Sequence, residues 1–293
     1  MQFKSILCPI DFSEFSVVAY HYALSLAGHY KSKLVLLHAV ELRKYPYADY
    51  AASAGDFASF CKALCEGGSA KLHEFLKKHA HARIEVKTIV DQGSAPDLIL
   101  SVAHAHDAEL IVMGTHGRRG LDRLVLGSTT DRVMRHASCP VLVVSDPSHN
   151  AMTTGPEGRH FLRRILYCTD FSSNSQRALG YAVSVTEEYD AELMMLHVVE
   201  GHRDPVKAQA LAAACQQQLE KLVPRSKHKD LKLKTVVRFG KPYLEIVQQA
   251  RDAQTSMITM TARGGDVLDR AIFGSTTYRV IQLGPCPVLA VHT

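Results

Sequence analysis

Gly114, Gly117 and Gly127, the last running directly into Ser128-Thr129-Thr130, carry the clearest chemical signal in this chain. Glycine tolerates positive φ and lets backbone approach a ligand closely, so successive amides can converge on one anion. Hydroxyl donors at the mouth of a helix add to the positive end of the helix dipole, a combination suited to phosphate. Arg118, Arg119 and Arg123 bring positive charge to the same stretch. A glycine-rich link between strand and helix also serves simply to turn the chain, and spacing alone leaves both readings open. A second group, Pro9-Ile10-Asp11, closes an apolar run near the start of the chain and supplies a carboxylate.

Other chemistries find no counterpart. The sequence has no Walker lysine motif, no G-x-S-x-G elbow, no H-E-x-x-H and no G-x-G-x-x-G after its first apolar run. No catalytic residue and no metal site are therefore assigned. His38 and His197 recur at equivalent strand ends, which fits acid–base or metal work and also fits a polar residue closing a buried strand. His104, His106, His116 and His136 fall on different elements. Seven cysteines with no C-x-x-C pair read as reduced thiols rather than a disulfide framework. Cys61 and Cys65, one helical turn apart, are read as small apolar residues, and Cys139 and Cys286, each followed by proline, as packing residues.

The elements that must position the glycine-rich stretch occur twice. Ile6-Leu7, Asp11-Phe12-Ser13 and Leu37-His38 return as Ile165-Leu166, Asp170-Phe171-Ser172 and Leu196-His197, at one constant offset. Later, Gly127-Ser128-Thr129-Thr130 and Cys139-Pro140-Val141-Leu142 return as Gly274-Ser275-Thr276-Thr277 and Cys286-Pro287-Val288-Leu289, at a smaller offset. The first copy thus carries an insertion, expected between residues 41 and 68, where Tyr, Ala, Ser and Gly dominate and periodicity is poor. Residues 147–160, rich in Pro, Gly, Ser and Thr, read as a linker between domains at 1–146 and 161–293.

Within each copy, short β-branched runs alternate with helical patterns, the mark of parallel strands joined by crossover helices. Strands are expected at 6–10, 34–40, 84–90, 110–114 and 141–144, and again around 165 and at 193–199, 231–237, 257–260 and 288–291. Ser13 is placed as a helix cap and Pro96 in the first turn of a helix. Right-handed crossovers then give two tandem doubly wound parallel five-stranded sheets. In such sheets ligands bind beyond the carboxyl ends of the strands where strand order reverses. The apolar segments 141–144 and 288–291 are expected to pair within the chain, because an exposed apolar edge strand invites aggregation. Association of two whole chains into a homodimer is left open.

The spacing G-x-x-G, nine residues, then G-S, formed by Gly114, Gly117, Gly127 and Ser128, resembles the ATP-binding motif of the universal stress protein family. The opening KSILCPIDFSEFS and the closing CPVLVV extend the resemblance, which covers both halves of the chain. It implies a Rossmann-like α/β/α domain with strand order 3-2-1-4-5 in each half, and ATP with Mg2+ as ligand. In that family the aspartate after the first strand lies by the adenosine, a backbone position after the second strand contacts adenine, and the glycine loop holds ribose and phosphates. Those roles fall to Pro9, Ile10 and Asp11, to Val40, and to Met113, Gly114, Gly117, Gly127, Ser128, Thr129 and Thr130, with Arg118 beside them.

The second copy departs from this pattern. Thr261 stands where the first has Gly114, and Cys168 where it has Pro9. A β-branched residue disfavours positive φ and takes up space near a ligand, so weak or absent nucleotide binding is expected there. Asp170, Val199, Gly264, Gly274, Ser275 and Thr276 keep part of the cradle. The resemblance implies a stress-response regulatory protein whose nucleotide occupancy is read by others. The alternatives are a slow ATPase or self-phosphorylating protein, and reuse of the second pocket for a lipid or metabolite.

Composition is compatible with this reading. The chain has 293 residues, enough for two domains. Its apolar runs are too short to cross a bilayer, and Asp11 interrupts the start before a secretory core could form, which predicts a cytoplasmic protein. The net charge of +5 is spread among acidic residues. The dense basic stretch from Lys221 to Lys234 lacks aromatic residues for base stacking, so nucleic acid is not an expected partner, and it reads as a solvated helix end and loop.

Overall fold

The structure, a computed structural model, describes residues 3–42, 54–79, 84–115, 126–145, 162–201, 205–224, 228, 230–263 and 274–292. The first copy runs β1 (Ser5–Pro9), α1 (Glu14–Tyr30), β2 (Lys33–Val40), α2 (Ala54–His79), β3 (Val86–Gln92), α3 (Ala95–Ala105), β4 (Leu110–Gly114), α4 (Ser128–His136) and β5 (Val141–Val144). The second repeats it as β6 (Arg164–Thr169), α5 (Ser173–Glu188), β7 (Glu192–Val199), α6 (Pro205–Leu222), β8 (Lys232–Phe239), α7 (Pro242–Asp252), β9 (Met257–Thr261), α8 (Ser275–Leu283) and β10 (Val288–Val291).

The inner strands are apolar on both faces, as in the fully buried Leu34–Leu37 run, because helices cover both sides of a parallel sheet. Within each copy all pairings are parallel and follow the order 3-2-1-4-5. The two sheets join at the two segments expected to pair within the chain. Strand β5 pairs antiparallel with β10, setting Val143 opposite Val288, Leu142 opposite Leu289 and Val141 opposite Ala290. The result is one ten-stranded sheet, ordered β3-β2-β1-β4-β5-β10-β9-β6-β7-β8. One apolar layer, containing Leu142 and Leu289, runs under α1, α2, α5 and α6; the other, containing Val143 and Val288, runs under α3, α4, α7 and α8. Each layer is continuous across both copies.

Side chains also join the copies away from the sheet. His29, at the end of α1, approaches Glu188 at the end of α5 to 3.2 Å, and its ring stacks on Tyr189 at 4.2 Å. On the opposite face the His292 Nε2 donates to the Met134 carbonyl at 2.7 Å.

Three expectations change. Strand β3 starts and ends two residues later than periodicity suggests, and β8 starts one and ends two residues later, since their edge positions admit polar residues that blur the apolar pattern. The segment around the insertion is not all irregular: α2 begins at Ala54 and takes in Cys61, Cys65 and Gly68. Gly68 earns its place by contact, for a Cβ there would lie 2.9 Å from Val90 Cγ1 and 3.2 Å from His38 Cδ2. The basic stretch is partly strand, with Lys232 and Lys234 on β8 paired to Asp190 at 3.0 Å and Glu192 at 2.6 Å.

Candidate functional site

Strand β1 has β2 on one side and β4 on the other, so strand order reverses between β1 and β4. The carboxyl ends of β1 and β4 and the N-terminus of α4 meet there. Asp11 follows β1 and is held by a local turn in which its Oδ1 accepts from the Ser13 amide at 3.0 Å and the Ser13 hydroxyl at 2.6 Å. Ser13 in turn caps α1, its Oγ accepting from the Ser16 amide at 3.2 Å. Phe12, between them, takes a left-handed φ of 65°. That conformation turns its ring onto His38, with ring centroids 4.6 Å apart. His38 Nδ1 lies 2.7 Å from the Ile10 carbonyl, which requires the proton on Nδ1. His38 therefore acts as a latch on the loop carrying Asp11, in agreement with the structural reading of a polar residue closing a buried strand.

The glycine-rich stretch is built differently from its expected logic. Gly114 is not among the positive-φ glycines. Its requirement is packing: a Cβ there would sit 2.6 Å from Phe15 Cβ and 3.1 Å from the Phe15 carbonyl carbon. Gly127 has φ −59° and donates its amide to the Thr115 carbonyl at 2.9 Å, so it turns the chain into α4 without a left-handed conformation. Thr130 is buried, and its hydroxyl donates to the Gly114 carbonyl at 2.8 Å. It ties α4 to β4 and does not offer that proton to a ligand. Ser128 is exposed and Thr129 half-buried. No side chain caps α4, and its first intrahelical bond is Asp131 N–H to the Gly127 carbonyl at 2.9 Å. The amides of Ser128, Thr129 and Thr130 thus precede the helical ladder and point out of its positive end. Met113 is buried in β4. The Val40 carbonyl accepts from the Gly93 amide at 3.0 Å. Gly117 and Arg118, with Arg119 and Arg123, lie outside the described residues.

The second copy reproduces much of this frame. Asp170 Oδ1 accepts from the Ser172 amide and hydroxyl at 3.0 and 2.6 Å, and Ser172 caps α5. Phe171 has φ 62° and lies 4.2 Å from the His197 ring, whose Nδ1 is 2.9 Å from the Thr169 carbonyl. Gly274 donates to the Ala262 carbonyl at 3.0 Å, and the Thr277 hydroxyl donates to the Thr261 carbonyl at 2.8 Å. Ser275 is exposed and Thr276 half-buried, as in the first copy. The Val199 carbonyl accepts from the Gly240 amide at 3.0 Å. Gly264 lies outside the described residues.

The differences concentrate on β6 and β9. Thr261 is buried, and so is Cys168, whose thiol is pushed well up by burial. In place of Ile10, Thr169 joins a polar cluster: its Oγ1 accepts from the Phe171 amide and lies 2.9 Å from Ser175 Oγ, while the Tyr167 hydroxyl donates to the Ser175 carbonyl at 2.7 Å. These residues use their polar groups on one another.

Among the described residues the remaining candidates do not assemble into a reactive centre. Among the described residues no group of three or more His, Cys, Asp or Glu side chains could hold a metal ion. His104 ends α3, His136 ends α4 with Nδ1 2.9 Å from the Arg132 carbonyl, and His116 lies outside the described residues. Cys139 and Cys286 are buried, and burial pushes each thiol up to about 12. Cys61 is buried and Cys65 half-buried. No described helix is long and apolar enough to cross a membrane. Sequence reasoning missed Phe12, Phe15 and the Thr115 carbonyl as parts of the frame; the recurrence of Asp-Phe-Ser in both copies was the available signal for Phe12.

A universal stress protein of Methanocaldococcus jannaschii is 32% identical over 145 residues, covering 50% of this chain and 84% of that protein. A second from the same organism is 28% identical over 155 residues, 49% of this chain and 96% of its own. The crystal structure of a universal stress protein from Archaeoglobus fulgidus covers 100% of this chain and 99% of its own, with a TM-score of 0.74 at 22% identity, a likeness of fold. The sequence profile of the universal stress protein family matches twice, over residues 2–145 and 162–292, and the chain therefore belongs to that family as a tandem of two of its domains.

Proposed function

We propose that the first copy binds ATP, with Mg2+, at the reversal point between β1 and β4, and that the chain is a cytoplasmic regulatory protein of the stress response. The observation that carries this reading is the α4 N-terminus: the amides of Ser128, Thr129 and Thr130 have no side-chain cap, Ser128 is exposed and Thr129 half-buried, and Thr130 ties this end to Gly114. Uncapped amides at the positive end of a helix suit the phosphates of a nucleotide. Asp11 would meet the ribose or adenine edge, the backbone at Val40 the adenine, and Gly117, Ser128 and Thr129 the phosphate tail; Arg118 would add charge. The bound nucleotide would supply negative charge for Mg2+ to neutralise.

Domains at 1–146 and 161–293, joined by 147–160, act in this reading as an internal pseudo-dimer, with a homodimer of whole chains a further level. ATP occupancy in the first half biases the shape or assembly that a partner reads. The second half, with Asp170, Val199, Gly264, Gly274, Ser275 and Thr276 retained and Thr261 and Cys168 substituted, holds nucleotide weakly or not at all.

Isothermal calorimetry of the purified chain with ATP and Mg2+ tests this directly. The expected result is one nucleotide per chain; no heat at millimolar ATP with folded protein rejects the reading. Incubation with labelled ATP, with Gly127→Ala as control, separates passive binding from slow hydrolysis or self-phosphorylation at Ser128 or Thr129. The expected result is binding without turnover.

A further inference from the structure

The two copies differ sharply at a place remote from the carboxyl edge of the sheet. In the first copy the outer face of α1 meets the end of α2 through a packed group of rings. Tyr20 lies 5.2 Å from Phe75, Phe75 lies 4.8 Å from His79, and His79 lies 5.5 Å from His21. Tyr20 is only 1% exposed.

The repeat offsets place Leu179, Gly180 and Leu222 of the second copy where the first has Tyr20, His21 and Phe75. Every ring at these three positions is gone. Helix α6 is also shorter than α2, 18 residues against 26, and stops at Leu222, level with Phe75. What remains is an open groove of about 650 Å³ between α5 and the end of α6, with Leu179, Val183 and Leu222 on its walls. A Cβ added to Gly180 would meet nothing within 4 Å. Small-ligand sites commonly fall in the range of roughly 300–1,000 Å³, mainly apolar with a few placed polar groups.

The rim supplies those groups. Lys221 is exposed at the end of α6, and His228 Nδ1 lies 2.5 Å from Glu187 Oε1 across the opening. Glu187 is thus already engaged by a histidine, and among the described residues lining the groove the Lys221 ammonium is the group suited to an entering anion.

We propose that this groove is a binding site for a small planar aromatic carboxylate, whose rings replace those of Tyr20 and Phe75 and whose carboxylate meets Lys221. The first copy shows what such a space accepts, since the same fold fills it with edge-packed and tilted rings of its own. The site is independent of nucleotide binding: it lies against α5 and α6, while the candidate nucleotide cradle lies at β1, β4 and α4.

The test titrates the full chain with 2-naphthoate and, in parallel, uncharged 2-naphthamide, following the methyl resonances of Leu179, Val183 and Leu222. Saturable shifts confined to these methyls, stronger for the carboxylate and unchanged by added ATP, are expected. Gly180→His restores the ring of the first copy and should weaken naphthoate binding by about tenfold or more, while retaining or raising the melting temperature because glycine is a poor helix residue. Lys221→Ala should reduce the preference for naphthoate over naphthamide by roughly threefold, as for a solvent-facing ion pair. The absence of methyl shifts at millimolar probe, or unchanged affinity in a folded Gly180→His variant, overturns the proposal. Methyl shifts that appear with protein concentration alone, together with a doubled mass by light scattering, would assign the groove to self-association and overturn it equally.

Discussion

The carboxyl edges of the two half-sheets share an almost identical frame and diverge where ligand and backbone would meet. Both have the aspartate turn, the left-handed phenylalanine, the histidine latch and the threonine tie from helix to strand. The first keeps Gly114 against Phe15 and an apolar Ile10; the second buries Thr261 and engages Thr169 with Ser175. The two copies thus share the parts that hold the loops and differ in the residues packed around the strand ends. The frame is a requirement of folding, common to both copies, whereas an open seat is a requirement only of a copy that binds.

Exchanging the distinguishing residue breaks the comparison most severely. Gly114→Thr forces a branched side chain onto Phe15, and overpacking of this kind typically costs about 1–3 kcal/mol. The variant should melt lower in calorimetric scans and lose ATP binding altogether. The reciprocal Thr261→Gly should lower stability through the space it leaves, without creating a second tight site, because Cys168 and Thr169 remain. Two equal tight sites in the wild-type chain would remove the distinction.

Removing the matched carboxylates sharpens it. Asp11→Ala and Asp170→Ala each delete an acceptor for a capping serine, a loss of about 1 kcal/mol in thermal or chemical unfolding. Asp11→Ala alone should also weaken ATP by roughly tenfold to a hundredfold, the range of a charged hydrogen bond. Equal effects on affinity would show that both pockets contribute.

The junction provides a pH-dependent comparison. Burial pulls the His292 imidazole below its ordinary value, and the position equivalent to it in the first copy is Ser145. A folded value below the unfolded one disfavours protonation in the native state. Its stability contribution is full above the unfolded value, about 6.5, and is lost as pH falls through the folded value. Melting temperature should fall by a few degrees on acidification over this window, and His292→Phe should flatten that part of the profile. The smallest effect belongs to Glu192, held below the usual carboxylate range by Lys234 and then Arg164. That contribution is present above its ordinary value and lost as pH falls through the folded one. Glu192→Gln should cost about 0.5–1 kcal/mol at neutral pH and nothing in acid, when urea unfolding is followed.

Most of the architecture was legible locally. The strand runs of β4, β5 and β10 have the bounds that periodicity assigns them, and Ser13 caps the helix it was expected to cap. The edge strands were less legible, because an exposed face admits Lys232 and Lys234 and dilutes the apolar signal. The helical start of α2 at Ala54 was obscured by small residues, of which Gly68 is selected for contact with β2 and β3 rather than for local conformation.

The sequence by itself determined the duplication, the alternation of strand and helix, the caps and the place of the glycine-rich stretch. These depend on side-chain period and propensity over a few neighbouring residues, or on repetition that needs no coordinates. Tertiary structure alone decided that Gly114 is needed by Phe15 rather than by φ, that Thr130 turns inward, and that the second copy has an open groove where the first has rings. Each depends on how closely groups far apart in the chain approach one another, and van der Waals contact distinguishes a glycine from a threonine only once the opposing atoms are in place.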